Sequence, residues 1–242
     1  KDTKTAVDDL GTSFLTTYFD GAQFGLTNKL LDAVAQDKAN DREKFDIYAS
    51  KQLKDFIRFF ALSQSNRFSL VNSDNVPINV IFEKNGTDAF KLFCTEFLGK
   101  EDKMAVTAEA YTKMLKKGLE EDRIVDIPRP EDFSSYDAYE RFIENILSDK
   151  NVKCMLAESL SRRGTFFPLD RFHKLCKKFG VELLTDACQS FGRMPNNTPS
   201  DIIIGSTHKG SELGESVGFL MLADDFIRKN GIEKITRLAR LD

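Results

Sequence analysis

Short apolar runs alternate with helix-length segments from residue 78 onward, and this alternation constrains the fold more than any other feature of the sequence. The apolar runs are Ile78–Phe82, Met104–Thr107, Arg123–Ile127, Lys153–Ala157, Val181–Thr185, Asp201–Gly205 and Val217–Leu222. Amphipathic helical patterns occupy Thr87–Leu98, Ala110–Lys117, Tyr136–Leu147 and Leu169–Phe179. Continuous apolar strands that alternate with helices indicate a mostly parallel sheet with helices on both faces. We therefore predict an α/β fold with a seven-stranded, mostly parallel sheet.

The first 75 residues follow a different pattern, which predicts mostly helix. Leu30, Leu31 and Val34 share one helical face, and Glu43–Leu62 carries apolar residues at helical spacing. We find no internal repeat and no linker rich in Pro, Gly or Ser. The predicted organisation is an N-terminal helical segment at 1–75 and a large α/β domain at 76–242.

Composition argues against several classes of protein. A net charge of −3 and a pI near 5.6 lack the basic excess of a nucleic-acid-binding protein. No apolar run approaches the roughly 20 residues that span a bilayer. The four cysteines have no CxxC spacing, so we predict reduced thiols in a cytoplasmic protein. The two histidines lie too far apart in sequence to suggest a metal site. Because residue 1 is Lys, removal of a targeting segment stays open.

In a sheet of this kind, ligands bind in the loops that follow the carboxyl ends of the strands. Gly86 and Thr87 open a helix after the first run, where free N–H groups and a hydroxyl form an anion site. An ordinary Thr cap, with Asp88 favouring the helix dipole, explains the same residues. Both interpretations are open at this point.

Asp186 directly follows the fifth run, and Gln189 follows three residues later. A carboxylate at a partly buried strand end needs a cationic or hydrogen-bonding partner. One interpretation is an N-cap Asp that forms a capping box with Gln189. The other is a carboxylate that pairs with a protonated ring nitrogen of a ligand.

Ser206, His208 and Lys209 directly follow the sixth run. The Lys209 amine would be a nucleophile if burial or neighbouring positive charge lowered its pKa, although a His-Lys pair is also typical of a solvated turn. The turn Ser161–Gly164 is either a basic surface turn or a site for anion or substrate recognition through Arg162 and Arg163. His173, within a predicted helix, is expected to be structural.

Taken together, these residues resemble fold-type I pyridoxal 5′-phosphate (PLP) enzymes and, more narrowly, the class V aminotransferase and cysteine desulfurase branch. The resemblance rests on VELLTDACQSFGRMP at 181–195, DIIIGSTHK at 201–209 and GFL at 218–220. Their order and spacing match the branch's D-x-x-Q…G…P…D…S-x-H-K…G-F-L pattern without a gap. Looser similarities are GTDA at 86–89 to the G-T-T-E-A phosphate loop, LSRRG at 160–164 followed by Pro168 to the S-N-x-T-G…P turn, and YFD at 18–20 to the opening Y-x-D.

The resemblance implies PLP as the cofactor and a role for each matching residue. Lys209 would form the Schiff base, Asp186 would hold the pyridine nitrogen protonated, and Gln189 would hydrogen-bond the ring 3′-oxygen. The phosphate would be held by Gly86, Thr87, Ser206 and His208.

Three departures from the family pattern bear on these roles. Ala110 stands where the family often stacks a His on the ring, so either Tyr111 supplies the stacking face or nothing does. Ser161 stands where Asn is common, and we keep it as a cofactor-binding candidate. The chain ends at Asp242, whereas family members continue into a small domain that supplies the substrate-carboxylate arginine and, in desulfurases, the catalytic cysteine. Cys188 lies on the wrong loop to carry sulfur.

The function that this resemblance implies is a PLP-dependent transferase, acting as a homodimer on an amino acid or related amine by transamination, elimination, desulfuration or racemisation. One alternative is sulfur transfer of the cysteine desulfurase type. The other is a non-catalytic descendant of the fold that serves as a binding or scaffold protein.

Overall fold

The computed structural model describes residues 54, 57, 67–71, 78–161, 163–191, 199–206 and 217–239. The strands are β1 (Val80–Glu83), β2 (Lys103–Thr107), β3 (Ile124–Ile127), β4 (Val152–Glu158), β5 (Glu182–Asp186), β6 (Ile202–Ser206) and β7 (Gly218–Leu222). In these ranges the α-helices are α1 (Gly86–Phe97), α2 (Thr112–Gly118), α3 (Tyr136–Leu147), α4 (Leu169–Phe179), α5 (Asp224–Asn230) and α6 (Ile232–Ala239). Every predicted strand and helix from residue 78 onward is confirmed, with ends that shift by no more than two residues.

All seven strands form one sheet in the order β1-β7-β6-β5-β4-β2-β3. Neighbours from β3 through β6 pair in parallel, and β7 runs antiparallel to both β6 and β1. The carboxyl ends of β1 to β6 therefore meet at the same edge of the sheet. This confirms the mostly parallel sheet and brings the loops that follow these strands together.

Helices cover both faces of the sheet, and each face has its own hydrophobic cluster. Successive residues of a strand point to opposite faces. In β4, Cys154 and Leu156 pack in the cluster that contains Phe90 of α1, whereas Met155 packs with Phe172 of α4. Burial on both faces explains why the strands are continuous apolar runs in the sequence.

An ion cluster lies at the amino end of β6, opposite the carboxyl edge. Asp201 Oδ1 lies 2.9 Å from Lys177 Nζ, 3.1 Å from Arg67 Nη2 and 3.3 Å from His173 Nε2. The Leu183 N–H donates to Asp201 Oδ2 at 2.9 Å. Burial by itself would raise the pKa of Asp201, but the hydrogen bonds from His173, Lys177 and the Leu183 N–H hold that pKa below its ordinary value. His173 thus has the structural role predicted for it.

The predicted helical segment at 1–75 lies mostly outside the described residues, so its boundary stays a prediction. Near its end, Phe68 is buried in the cluster on the α1 face. The Asp224 side chain accepts hydrogen bonds from the Ser69 N–H at 2.9 Å, the Ser69 hydroxyl at 2.5 Å and Asn79 Nδ2 at 2.8 Å. These bonds attach the chain at 67–71 to the sheet.

The four cysteines Cys94, Cys154, Cys176 and Cys188 are free, buried thiols. Burial raises the pKa of Cys94 to about 12 and also raises the pKa of Cys154 and of Cys176. Among the residues that the structure describes, no three His, Cys, Asp or Glu side chains gather as a metal site requires. None of the helices in those ranges is long and apolar enough to cross a bilayer.

Candidate active site

The amino end of α1 presents hydrogen-bond donors that the helix itself does not use. Asn85 is the N-cap, and its side-chain oxygen accepts from the Asp88 N–H at 2.9 Å. The interpretation of Thr87 as the cap is therefore wrong, because Thr87 is the second residue of the helix. The Ala89 N–H bonds to the Asn85 carbonyl at 3.0 Å, while the N–H groups of Gly86 and Thr87 have no acceptor within the helix. These two N–H groups and the Thr87 hydroxyl can bind an anion.

This helix end lies directly against the ends of β6 and β7. A Cβ atom added to Gly218 would lie 2.0 Å from the Asn85 carbonyl carbon. One added to Gly86 would lie 2.6 Å from Cys188 Sγ and 3.6 Å from the Cβ of Ser206, whose side chain is fully buried. Glycine at both positions thus permits the close approach. As predicted, residues from the loops after β1, β5 and β6 come together here.

Asp186 ends β5 and is only 8% exposed. Its Oδ1 atom accepts a hydrogen bond from the Cys188 N–H at 2.8 Å. Residues 188–191 form turns, so the capping box of Asp186 with Gln189 is wrong. Oδ2 of Asp186 and the half-buried Gln189 amide make no hydrogen bond within the described part of the chain, which leaves both available to a ligand.

A second buried carboxylate lies beside Asp186. Glu158, at the end of β4, pairs in register with Asp186 and is 5% exposed. The hydroxyl of Thr107, at the end of β2, donates to Glu158 Oε2 at 3.3 Å. The sequence analysis gave Glu158 no role, although the signal that identifies Asp186, an acid at the end of an apolar strand, is present there too.

Ser161 and Tyr111 lie in the loops after β4 and β2. The Ser161 hydroxyl oxygen accepts from the N–H groups of Arg163 at 3.2 Å and Thr165 at 3.1 Å, so it stabilises the turn that carries Arg163. Tyr111 is half-buried and lines a cleft of about 410 Å³. It also packs against the hydrophobic cluster on the α1 face of the sheet.

The remaining predicted site residues, His208 and Lys209, lie outside the described residues, as do Arg162 and 18–20. Their roles stay predictions.

Within the described part of the chain, the structure is an α/β fold in which a helix end with free N–H groups lies at the same sheet edge as a buried strand-end carboxylate. The profile of the aminotransferase class-V family matches residues 68–229, more than half of the chain, and the chain therefore belongs to this family. Membership confirms the resemblance drawn from the sequence and supports the predicted cofactor, pyridoxal 5′-phosphate.

Solved structures at low sequence identity share the fold. The SepCysS–SepCysE N-terminal domain complex matches with a TM-score of 0.54 and 17% identity, over 72% of this chain and 48% of that chain. A NifS-like protein from Rickettsia africae ESF-5 matches with a TM-score of 0.51 and 19% identity, over 61% of this chain and 41% of that chain. A PLP-bound putative aminotransferase from Clostridium difficile 630 matches with a TM-score of 0.52 and 17% identity, over 75% of this chain and 50% of that chain.

The chain spans half or less of the length of these three structures. At such identities the likeness shows the fold alone. No curated protein sequence matches the chain significantly.

Proposed function

We propose that this chain forms the cofactor-binding part of a PLP-dependent transferase that acts on an amino acid or a related amine, with Lys209 as the attachment point of the cofactor. The observation that carries the proposal is the Asp186 carboxylate, which is buried beside the amino end of α1 and keeps one oxygen available.

The donors at the amino end of α1 fit the phosphate of that cofactor. Gly86, the first residue of α1, lies against Ser206, and the helix dipole favours a negative charge at this end. We assign the phosphate to these residues, together with His208 two positions beyond Ser206.

The Asp186 carboxylate fits a protonated ring nitrogen. Its Oδ1 is fixed by the Cys188 N–H, which orients Oδ2 for one further partner. When bound, PLP supplies a ring that withdraws electrons from the α-carbon of the substrate, and Asp186 keeps the ring nitrogen protonated for that purpose. We propose that Gln189 hydrogen-bonds the ring 3′-oxygen and that Tyr111 covers the exposed face of the ring. Ser161 would stabilise the adjoining turn.

Chemistry at the substrate amine fits the chain better than sulfur transfer by its own cysteines. All four thiols are buried, and Cys188 packs against Gly86 at the helix end. A persulfide carrier must reach both the substrate and an acceptor, and none of these thiols has that access.

Borohydride trapping tests the attachment point. The protein is incubated with PLP, reduced, digested and examined by mass spectrometry, beside Lys209→Ala and the matched control Lys84→Ala, an exposed lysine after β1. We expect one pyridoxyl group on Lys209 in the wild type and in Lys84→Ala, and none at that peptide in Lys209→Ala. Absence of label on Lys209, or equal labelling of surface lysines, would overturn the proposal.

Exchange of the substrate α-hydrogen separates an enzyme from a scaffold. Transamination, elimination and racemisation all require loss of that hydrogen, so deuterium exchange into a panel of amino acids is followed by NMR. Asp186→Asn should keep the pyridoxyl label but lose most of the exchange rate, because an unprotonated ring nitrogen is a poorer electron sink. Label on Lys209 without exchange of any amino acid would favour the scaffold function.

We also propose a homodimer in the cytoplasm. Family membership supports the dimer, and the four free thiols support a reducing compartment. Sedimentation that shows only a monomer at micromolar concentration would contradict the dimer.

A further inference from the structure

A cleft of about 410 Å³ opens between the loops that follow β2, β3 and β4. Its charged lining consists of the cations Lys113, Arg129 and Arg163 and the single carboxylate of Glu109. Such a surplus of positive charge favours an anionic ligand.

Glu109 identifies the cleft as a built site. Its side chain is 8% exposed, and its Oε1 lies 3.5 Å from Arg129 Nε. Its Oε2 is buried and has no hydrogen-bond partner among the residues that the structure describes. Because a buried charged acceptor without a partner is destabilising, a ligand that donates a hydrogen bond to Oε2 is favoured in the cleft.

The two arginines supply the complementary donors. Within the described ranges, Arg129 pairs only with Glu109, through Nε, which leaves both Nη groups available. The guanidinium of the exposed Arg163 makes no ion pair there, and its turn is held by the buried Ser161 hydroxyl. A planar arginine fork binds carboxylates and phosphates through two parallel hydrogen bonds.

The cleft adjoins the proposed cofactor site. Its lining residues follow β2, β3 and β4 at the carboxyl edge of the sheet, and at that edge β4 pairs with β5, which ends at Asp186. A group bound in the cleft is therefore in a position to belong to the same substrate molecule.

We propose that the cleft binds a distal acidic group of the substrate that carries a hydrogen-bond donor next to the acid. Arg129 and Arg163 bind the acid, and Oε2 of Glu109 accepts from the donor. This inference rests on the proposed function, because it assigns the far end of the substrate. Two sources have this chemistry: an amino-acid end, with carboxylate and ammonium, and the monoanion of a phosphate monoester, which keeps a P–OH group below its second pKa of about 6.

An acid without a donor is disfavoured by the same arrangement. Its charge would face Oε2 of Glu109, which repels it. Glu109 is therefore a positioning and selectivity residue.

Titration of the chain in the absence of PLP tests the cleft. Glycine, methyl phosphate and acetate are titrated and followed by NMR of the labelled protein. Arg129→Gln and Arg163→Gln should each weaken glycine or methyl phosphate about tenfold, because each removes a charge-assisted hydrogen bond. Arg141→Gln, on the exposed side of α3, is the matched control and should leave the affinity unchanged.

Glu109→Gln should change the affinity for acetate and the affinity for the donor-bearing probes, glycine and methyl phosphate, in opposite directions. Acetate should bind more tightly, because the repelling charge is gone, whereas the donor-bearing probe should bind less tightly. Binding of glycine alone identifies an amino-acid end, and binding of methyl phosphate alone identifies a phosphate monoester; binding of both supports the shared chemistry.

Three results would overturn the proposal. In the first, neither donor-bearing probe binds. In the second, both arginine variants behave like Arg141→Gln. In the third, Glu109→Gln shifts all probes in the same direction. Because no PLP is present, these results are distinguishable from a failure of Lys209 labelling.

Discussion

Replacing Gly218 with alanine tests whether the contact between β7 and the α1 cap builds the phosphate site. The new Cβ would lie 2.0 Å from the Asn85 carbonyl carbon and 2.1 Å from its oxygen. Carbon atoms in contact are normally about 3.5–4.0 Å apart, so the start of α1 must move by ~1.5 Å or the start of β7 must leave its register with Ser206.

The cost of this substitution follows from what must move. Inserting a methylene into a packed core costs about 1–3 kcal/mol. Both obstacles are backbone, and β7 is paired on both sides, so we expect a loss of about 3 kcal/mol in the free energy of unfolding. The same movement displaces the N–H groups of Gly86 and Thr87. Losing even one hydrogen bond to a charged phosphate, at about 1.5–3 kcal/mol, should weaken PLP at least tenfold.

Two measurements on two variants separate the site effect from general destabilisation. Urea unfolding without PLP gives the stability, and absorbance titration gives the affinity for PLP. The control is Gly118→Ala, whose Cβ would lie 2.5 Å from Cε1 of the Phe90 ring, a side chain rather than backbone. We expect this control to lose about 1–2 kcal/mol and keep its PLP affinity. Equal PLP affinity in the two variants, or an unchanged unfolding free energy in Gly218→Ala, would refute the reasoning.

Three further predictions concern stability and reactivity. Asp201→Asn should lower the free energy of unfolding at pH 7 by about 3 kcal/mol. This is the low end for a buried ion pair, because the cationic partners of Asp201 are partly exposed. The control Asp225→Asn, at an exposed ion pair, should lower the free energy of unfolding by less than about 0.5 kcal/mol. Because the pKa of Asp201 is lower in the folded than in the unfolded state, its contribution to stability is complete above a pH of about 4 and is lost at lower pH. Urea unfolding of the wild type and of Asp201→Asn at several pH values measures this contribution. A difference between the two proteins that does not shrink toward acid pH would contradict the prediction. Asp224→Ala should lower the free energy of unfolding by about 3 kcal/mol and speed hydrogen exchange of the Ser69 amide, which donates to the Asp224 side chain. Unchanged protection of that amide would contradict this hydrogen bond. Cys94, with a pKa of about 12, should resist a thiol reagent at pH 8 until urea unfolds the protein, and rapid labelling of the native protein would contradict its burial.

The strands and helices were predictable because their causes are local. Tyr136–Leu147 begins and ends where the sequence predicts, since the Ser135 side chain accepts from the Ala138 N–H at the start of the helix. The start of β1 was placed too early. Asn79 was included in the predicted strand, but its side chain donates to the Leu222 carbonyl at 2.7 Å, a contact across 143 positions that no local pattern contains.

The two cap assignments failed for a related reason. Thr87 and Asn85 are both residue types that cap helices, and the cap is Asn85, whose side-chain oxygen accepts from the Asp88 N–H. At Asp186 the local pattern satisfied a capping box, but the chain continues as a turn, and the side chain bonds two residues ahead to Cys188.

The carboxylate pair at the sheet edge depends on strand order, which the sequence pattern does not contain. Glu158 and Asp186 are neighbours because β4 pairs with β5, and Thr107 reaches Glu158 because β2 lies on the other side of β4. The Thr107 bond, at 3.3 Å, is long for an O–H donor. Two buried carboxylates side by side repel each other and favour a cation within reach of both. In the function we propose, the protonated ring nitrogen that pairs with Asp186 is a cation beside this carboxylate pair.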